Sequence, residues 1–115
     1  MRRDTRYIDF IANRKGDAMI IKTVADKRLS ALIKSSGSAT PKGMTQQDAK
    51  KIWRQISAIR AATTPRQIEG LPGWNIHELT PGHPGKWALN VTANYRLTFH
   101  FIDGEAVDLD FEDYH

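Results

Sequence analysis

Cysteine is absent from the 115-residue chain, which excludes disulfide staples and thiolate–metal sites and fits a reducing compartment. Long apolar runs are missing as well. The opening "MRRDTRYIDFIANRKGDA" is charged throughout and offers no segment that could act as a signal peptide or membrane span. A cytoplasmic protein without membrane contact is therefore the expectation. Glycine-rich phosphate loops are lacking too. "PGHPGK" ends in glycine–lysine but has neither the spacing nor the following Ser/Thr of a Walker loop, and it reads as a hairpin loop. No serine occupies an elbow position. His77, His83, His100 and His115 are widely separated, with no H-x-H or H-x-x-x-H pairing, so neither a metal site nor a cofactor is expected.

Charge is present in quantity and unevenly placed. The last thirteen residues hold six acidic groups (Asp103, Glu105, Asp108, Asp110, Glu112 and Asp113) and no Lys or Arg. The remainder carries seven acidic against seventeen basic residues. A basic body with an acidic end suits a polyanionic partner such as nucleic acid, and equally a soluble protein of high pI.

At this length the chain makes one domain with a core of its own. "MIIKTV" (19–24) reads as a short β-branched strand, and "ADKRLSALIK" puts Leu29, Leu32 and Ile33 at helical spacing. Thr45 is a suitable N-cap for a second helix through Ala61, whose apolar stripe is Ala49, Ile52, Trp53, Ile56 and Ile59. Trp53 on that stripe is a core residue before it is a base-stacking platform. Lys50, Lys51 and Arg54 lie outside the stripe, as a solvated face or as contacts to RNA. After the proline–glycine loop "TTPRQIEGLPGW" the pattern alternates through "NIHEL", "KWALNVT", "YRLTFHF" and "AVDLDFED". The expected fold is α+β: an antiparallel sheet of three or four C-terminal strands plus an N-terminal strand, with two helices on one face.

Register follows from the loops. An Ile102-Asp103-Gly104 loop sets Phe99 opposite Val107, Leu97 opposite Leu109 and Tyr95 opposite Phe111. A Thr92-Ala93-Asn94 loop, with Asn94 in the left-handed region, sets Leu89 opposite Leu97 and Trp87 opposite Phe99. Both hairpins place their apolar residues on one shared face. The other face then carries Lys86, Asn90, Arg96, Thr98, His100, Asp108, Asp110 and Tyr114, with His115 near its edge if the terminus curls.

Arg96 has two readings there: a salt bridge to Asp110 across the strands, or a guanidinium that binds phosphate through two N–H groups and stabilises charge built up in phosphoryl transfer. Tyr114 and His115 are either tail or a proton-transfer pair, in which neighbouring acids favour the imidazolium. His77 sits on a strand before a loop, in a structural or a catalytic role.

The combination "LPGWNIHEL…GKWALNVTANYRLTFHF-IDGEAVDLDFEDYH" resembles the HigB group of RelE-superfamily toxins. In that group a tryptophan strand, an asparagine-aromatic-arginine turn, a "DG-(D/E)-A" hairpin and a terminal Asp-Tyr-His recur in order. The resemblance runs from Met19 to His115, which divides the chain into a 19–115 toxin domain and a 1–18 extension. That extension either forms a short helix over "RYIDFIAN" or reflects an upstream start codon.

The resemblance implies a RelE-like fold and a ribosome-dependent endoribonuclease that cuts mRNA in the ribosomal A site without a metal. It also implies a helix-turn-helix antitoxin of the HigA type, through which operator DNA would be contacted only indirectly. Arg96 matches the family's phosphate-stabilising arginine, Tyr114 and His115 its terminal pair, and His77 a histidine implicated in activity. Some relatives carry a lysine in "HPLKG" where this chain has Thr80 in "HELTPG", and Lys86 is the candidate to supply that charge. A catalytically silent relative that binds RNA or antitoxin and acts in repressor assembly is the alternative.

Overall fold

The computed structural model describes residues 6–7, 19–68, 72–80 and 82–113. Two helices lie on one face of a mixed sheet. Helix α1 (Lys27–Lys34) starts at Asp26, whose carboxylate accepts from the backbone N–H of Arg28 at 2.8 Å and of Leu29 at 3.4 Å. These two bonds satisfy N–H groups that a helix start otherwise leaves without partners. Helix α2 (Gln46–Ala61) begins at Thr45 as expected, the hydroxyl accepting from Asp48 N–H at 3.0 Å.

Ala49, Ile52, Ile56 and Ile59 of α2 are buried against the sheet, together with Leu29, Leu32 and Ile33 of α1. In proteins most helical stability comes from packing of an apolar face rather than from intrinsic propensity. Each fully buried Ile adds roughly 1.5–3 kcal/mol, so packing rather than propensity holds α2 in place. Trp53 is half-buried and packs against this core.

A close approach closes α1. The N–H of Gly37 donates to Leu32 O at 2.8 Å and that of Ser36 to Ile33 O at 3.1 Å, the paired bonds of a Schellman cap. Gly37 holds φ +85°, and a Cβ there would fall 2.5 Å from the Trp53 ring. Gly43 has the same φ but nothing within 4 Å of that point. Gly43→Ala is therefore expected to cost only backbone strain, about 1–2 kcal/mol. Gly37→Ala should cost about 2–4 kcal/mol, because overpacking adds to the strain. Urea melts of the two variants isolate the Trp53 contact as the difference.

The strands are β1 (Arg6–Tyr7), β2 (Ile20–Ile21), β3 (Thr23–Val24), β4 (His77–Glu78), β5 (Lys86–Asn90), β6 (Tyr95–Ile102) and β7 (Glu105–Asp113). Among the described residues they form one sheet in the order β1-β3-β7-β6-β5-β4, with β2 also on β7. A 3₁₀ turn, Pro65–Gln67, precedes the last four strands.

The β4-to-β7 meander is antiparallel, but β2 and β3 run parallel to β7. The N-terminal strand therefore makes the sheet mixed rather than wholly antiparallel. Its ladder includes Lys22 N–H to Ala106 O and Ala25 N–H to Leu109 O, both 2.8 Å. The helix expected over "RYIDFIAN" is replaced at its first two residues by β1, which pairs antiparallel with β3. The rest of that segment lies outside the described residues.

Register agrees with expectation on one side of β6 only. Trp87 faces Phe99 and Leu89 faces Leu97. The loop between these strands closes differently, however. Asn94 is not in the left-handed region. Instead the Thr92 hydroxyl accepts from the N–H groups of Asn94 at 3.2 Å and Tyr95 at 3.1 Å.

On the other side of β6 the expected register is wrong. Ile102 pairs with Glu105 across a two-residue turn whose central residues, Asp103 (φ 50°) and Gly104 (φ 78°), are both left-handed, the type I′ signature. Between His100 and Thr98 the register shifts again. Asp108 (φ 56°) and Leu109 together oppose Phe99, so β7 carries a bulge. Asp108 is held there by Thr23: its N–H donates to the Thr23 hydroxyl at 2.8 Å, and that hydroxyl donates to its carboxylate at 3.2 Å. Leu97 thus faces Phe111, and Arg96 faces Glu112 rather than Asp110.

Candidate active site

The helix-free face of the sheet is assembled from cross-strand rows. One row is Asn90, Arg96 and Glu112; the next is His77, Ala88, Thr98 and Asp110; the third is Lys86, His100 and Val107. Pairing across strands puts the members of a row on the same side of the sheet. This face is no open plane, since Ala88 and Thr98 have no exposed surface and Asp110 only 8%.

Lys86 crosses part of this face. From β5 it reaches diagonally over β6 to Glu112 on β7, with Nζ 2.9 Å from the carboxylate and the two side chains 18% and 23% exposed. The Thr98 hydroxyl, beneath that bridge, donates to the same carboxylate oxygen. Burial of Glu112 favours its neutral form. The hydrogen bonds from Thr98 and Lys86 and the charges of Lys86 and Arg96 outweigh it, and hold this carboxyl below the ordinary glutamate value. The face therefore carries the cations Lys86 and Arg96 and the carboxylates Glu112 and Asp110, with Lys86 and Glu112 fixed to each other. Lys86 keeps further N–H donors beyond the one given to Glu112, because an ammonium has three.

His77 enters from the edge strand. Asn75, at φ 47°, turns the chain so that its carbonyl lies 2.7 Å from His77 Nδ1. A carbonyl only accepts, so Nδ1 carries the proton in this bond and Nε2 is the nitrogen available for chemistry. Beside it is a depression of about 410 Å³ lined by Arg66, Ile76, His77, Glu78, Thr80 and Trp87. The Arg66 guanidinium lies over the Trp87 ring, 5.4 Å from its centroid.

The fold thus gathers Arg96, Lys86 and His77 on one face. Tyr114 and His115 lie outside the described residues. Asp113, the residue before them, pairs with Tyr95 at the end of β7 next to the Arg96 row. Lys50, Lys51 and Arg54 belong to α2, the layer on the opposite face. Lys50 and Arg54 are exposed there, and Lys51 donates to Val91 O at 2.8 Å. Asp108, expected on the same face as Arg96, sits instead in the bulge bonded to Thr23.

Three participants escaped the sequence reading. Glu112 alternates with Asp110 and Tyr114, so strand parity alone places it on this face. Gln55 is fully buried and its amide donates to Asn90 O at 2.8 Å; the signal is a polar residue three positions after Ile52 in an apolar stripe. Arg66 has no local signal, because it meets Trp87 only through the tertiary fold.

Residues 22–115 match the family model described as the RelE-like toxin of the type II toxin-antitoxin system HigB. The chain belongs to the HigB toxin family. It is also 35% identical over 100 residues to Endoribonuclease HigB of Proteus vulgaris, an alignment covering 84% of this chain and 100% of that protein. The matched span takes in β3, both helices and β4 to β7, so the HigB domain includes every residue of the face described above. Among the described residues no helix is long and apolar enough to cross a membrane, and no three His, Asp or Glu side chains gather as metal ligands.

Proposed function

We propose that this HigB-family chain is a toxin that cleaves mRNA in the ribosomal A site, dependent on the ribosome and without a metal, and is held in check by a HigA-type helix-turn-helix antitoxin. The observation that carries this is the convergence of Arg96, Lys86 and His77 on one sheet face, in a chain 35% identical to a named endoribonuclease.

In the reaction, the 2′-oxygen attacks the adjacent phosphorus and the bond to the 5′-oxygen breaks. The products are a 2′,3′-cyclic phosphate and a free 5′-hydroxyl. Arg96 and Lys86 stabilise the negative charge that grows on the phosphate oxygens. His77 accepts the 2′-OH proton at Nε2, its ring held by the Asn75 carbonyl. Tyr114 and His115 orient the substrate, and His115 as an imidazolium protonates the leaving 5′-oxygen. The basic body, including Lys50 and Arg54 on the helical layer, supports binding to ribosomal RNA through charge. Operator DNA is reached only through the antitoxin.

The test is induced expression followed by mapping of mRNA 5′ ends. Growth arrest with cuts in phase with codons is the expected result, and purified protein without ribosomes should cut little. Growth and mRNA both unaffected would point instead to a silent relative acting through antitoxin binding.

A further inference from the structure

Arg96 sits near the end of its ladder, where strands fray most easily. Strand β6 starts at Tyr95 and β7 ends at Asp113, so the Arg96–Glu112 rung is next to last. On the β5 side this end is held by Gln55 and Lys51 of α2, which bond the Asn90 and Val91 carbonyls. On the β7 side a second fastening comes from α1. Buried Asp26, the cap of that helix, accepts from Arg28 Nε at 3.1 Å and from a terminal guanidinium nitrogen at 2.7 Å, one bond to each oxygen. The fork fixes the guanidinium as a plane, whose carbon lies 4.8 Å from the centre of the Phe111 ring. Phe111 in turn stacks on Tyr95, with centroids 4.9 Å apart and planes 16° from parallel.

The stack crosses the two strands diagonally. Tyr95 precedes Arg96 on β6 and Phe111 precedes Glu112 on β7, so alternation puts both rings on the face opposite the rung. The contact of Phe111 with Arg28, from the helical layer, agrees. We propose that Arg28 is a positioning residue: held by Asp26, it clamps Phe111 and, through the stack on Tyr95, keeps Arg96 and Glu112 in place from behind. It acts through the sheet and not on the RNA. The inference rests on the proposed mRNA cleavage and adds to it a residue on the face away from Arg96. If the Asp26–Arg28 pair served α1 alone, its loss would cost stability and nothing else.

Two measurements on the full chain separate these roles. In the first, kcat and KM for mRNA cleavage on programmed ribosomes are determined per folded molecule. Arg28→Ala should lower kcat about 10-fold and leave KM almost unchanged, because a small misplacement of a stabilising group costs rate rather than binding. Tyr95→Ala, at an exposed position where folding is little at risk, should do the same. Tyr95→Phe keeps the ring and should recover most of that loss. Arg28→Lys should recover little, since an ammonium offers no plane to the ring. Thr45→Ala removes the cap of α2 instead, and should lower stability without lowering kcat. In the second, amide hydrogen exchange is followed at Arg96 and Glu112 without RNA. Arg28→Ala and Tyr95→Ala should speed it about 10-fold relative to Thr45→Ala.

A folded Arg28→Ala protein that cuts at the wild-type rate overturns the positioning role. So does a fall in kcat of the same size in Thr45→Ala, which would tie the loss to stability alone. Unchanged exchange at Arg96 and Glu112 overturns the clamp itself. Faster exchange in Arg28→Ala, found together with a wild type that cuts no mRNA, would leave the clamp standing and overturn the proposed function instead.

Discussion

Arg96→Ala is expected to reduce mRNA cleavage about 10²–10³-fold and to remove toxicity, while the protein still folds. Arg96 lies in the middle of the Asn90–Arg96–Glu112 row, on a strand hydrogen-bonded on both sides, so its backbone position is set by β5 and β7 and not by its own side chain. Gln55 and Lys51 of α2 fasten the end of β5 by bonding the carbonyls of Asn90 and Val91, each at 2.8 Å. The arginine is thus mounted on a stiff part of the sheet, which is what a group that stabilises transient charge requires. Losing the side chain leaves that frame standing, with a thermal melt expected close to wild type. Arg96→Lys should rescue poorly, since a point charge cannot present two parallel N–H groups to a phosphate. Growth after induction and counts of mRNA 5′ ends are the readouts. Full toxicity in a folded Arg96→Ala protein would remove this residue from the mechanism.

The two sides of β6 show which information a sequence carries and which it hides. Alternation and a shared apolar face suffice to place Leu89 against Leu97 and Trp87 against Phe99. On the β7 side the same reasoning selects the wrong turn, because a three-residue loop and a two-residue type I′ turn both accommodate "IDGE". The turn shifts the ladder by one residue, and the bulge at Asp108 shifts it by one more. Side chains alternate with a period of two, so the two shifts together return each residue beyond the bulge to its expected face. That is why Arg96, Thr98 and Asp110 lie on the second face as expected while the partner assigned to Arg96 is wrong.

Faces follow from burial, which the whole strand reports. Partners follow from one or two left-handed residues, which composition does not reveal. The same limit explains the short strands: β2, β3 and β4 have two residues each, too few for any period to show. Helix α2, at 16 residues with a capping threonine, was legible at both ends. Of the site, the cations could be read from strand parity. Glu112 shares that parity, but its bond to Lys86 and the contact of Arg66 with Trp87 required the fold.

Glu112→Ala is expected to weaken both the fold and the chemistry, and pH separates the two effects. The carboxylate accepts from Thr98 and Lys86 beneath partial cover, so its removal leaves a fully buried hydroxyl and a largely buried ammonium without this acceptor. A loss of about 1–3 kcal/mol in stability follows, together with a fall in cleavage of roughly 10-fold as Lys86 loses its fixed position. In the folded protein this carboxyl lies below its ordinary value of 4.5. Its contribution to stability is accordingly complete above that value and is lost as pH falls through the folded-state value. Urea melts of wild type and Glu112→Gln should differ most near neutral pH and converge in acid.

The paired replacement Lys86→Met with Glu112→Met distinguishes the roles further. Exchanging both partners of a buried ion pair for apolar side chains is often neutral for stability. The double variant should therefore lose less stability than Glu112→Ala, since only the Thr98 hydroxyl is left without its acceptor, yet cleave as poorly as Lys86→Met alone. A double variant that folds normally and cuts mRNA at the wild-type rate would show that the pair serves only the fold. Glu112 would then be a structural residue under an active site made by Arg96 and His77.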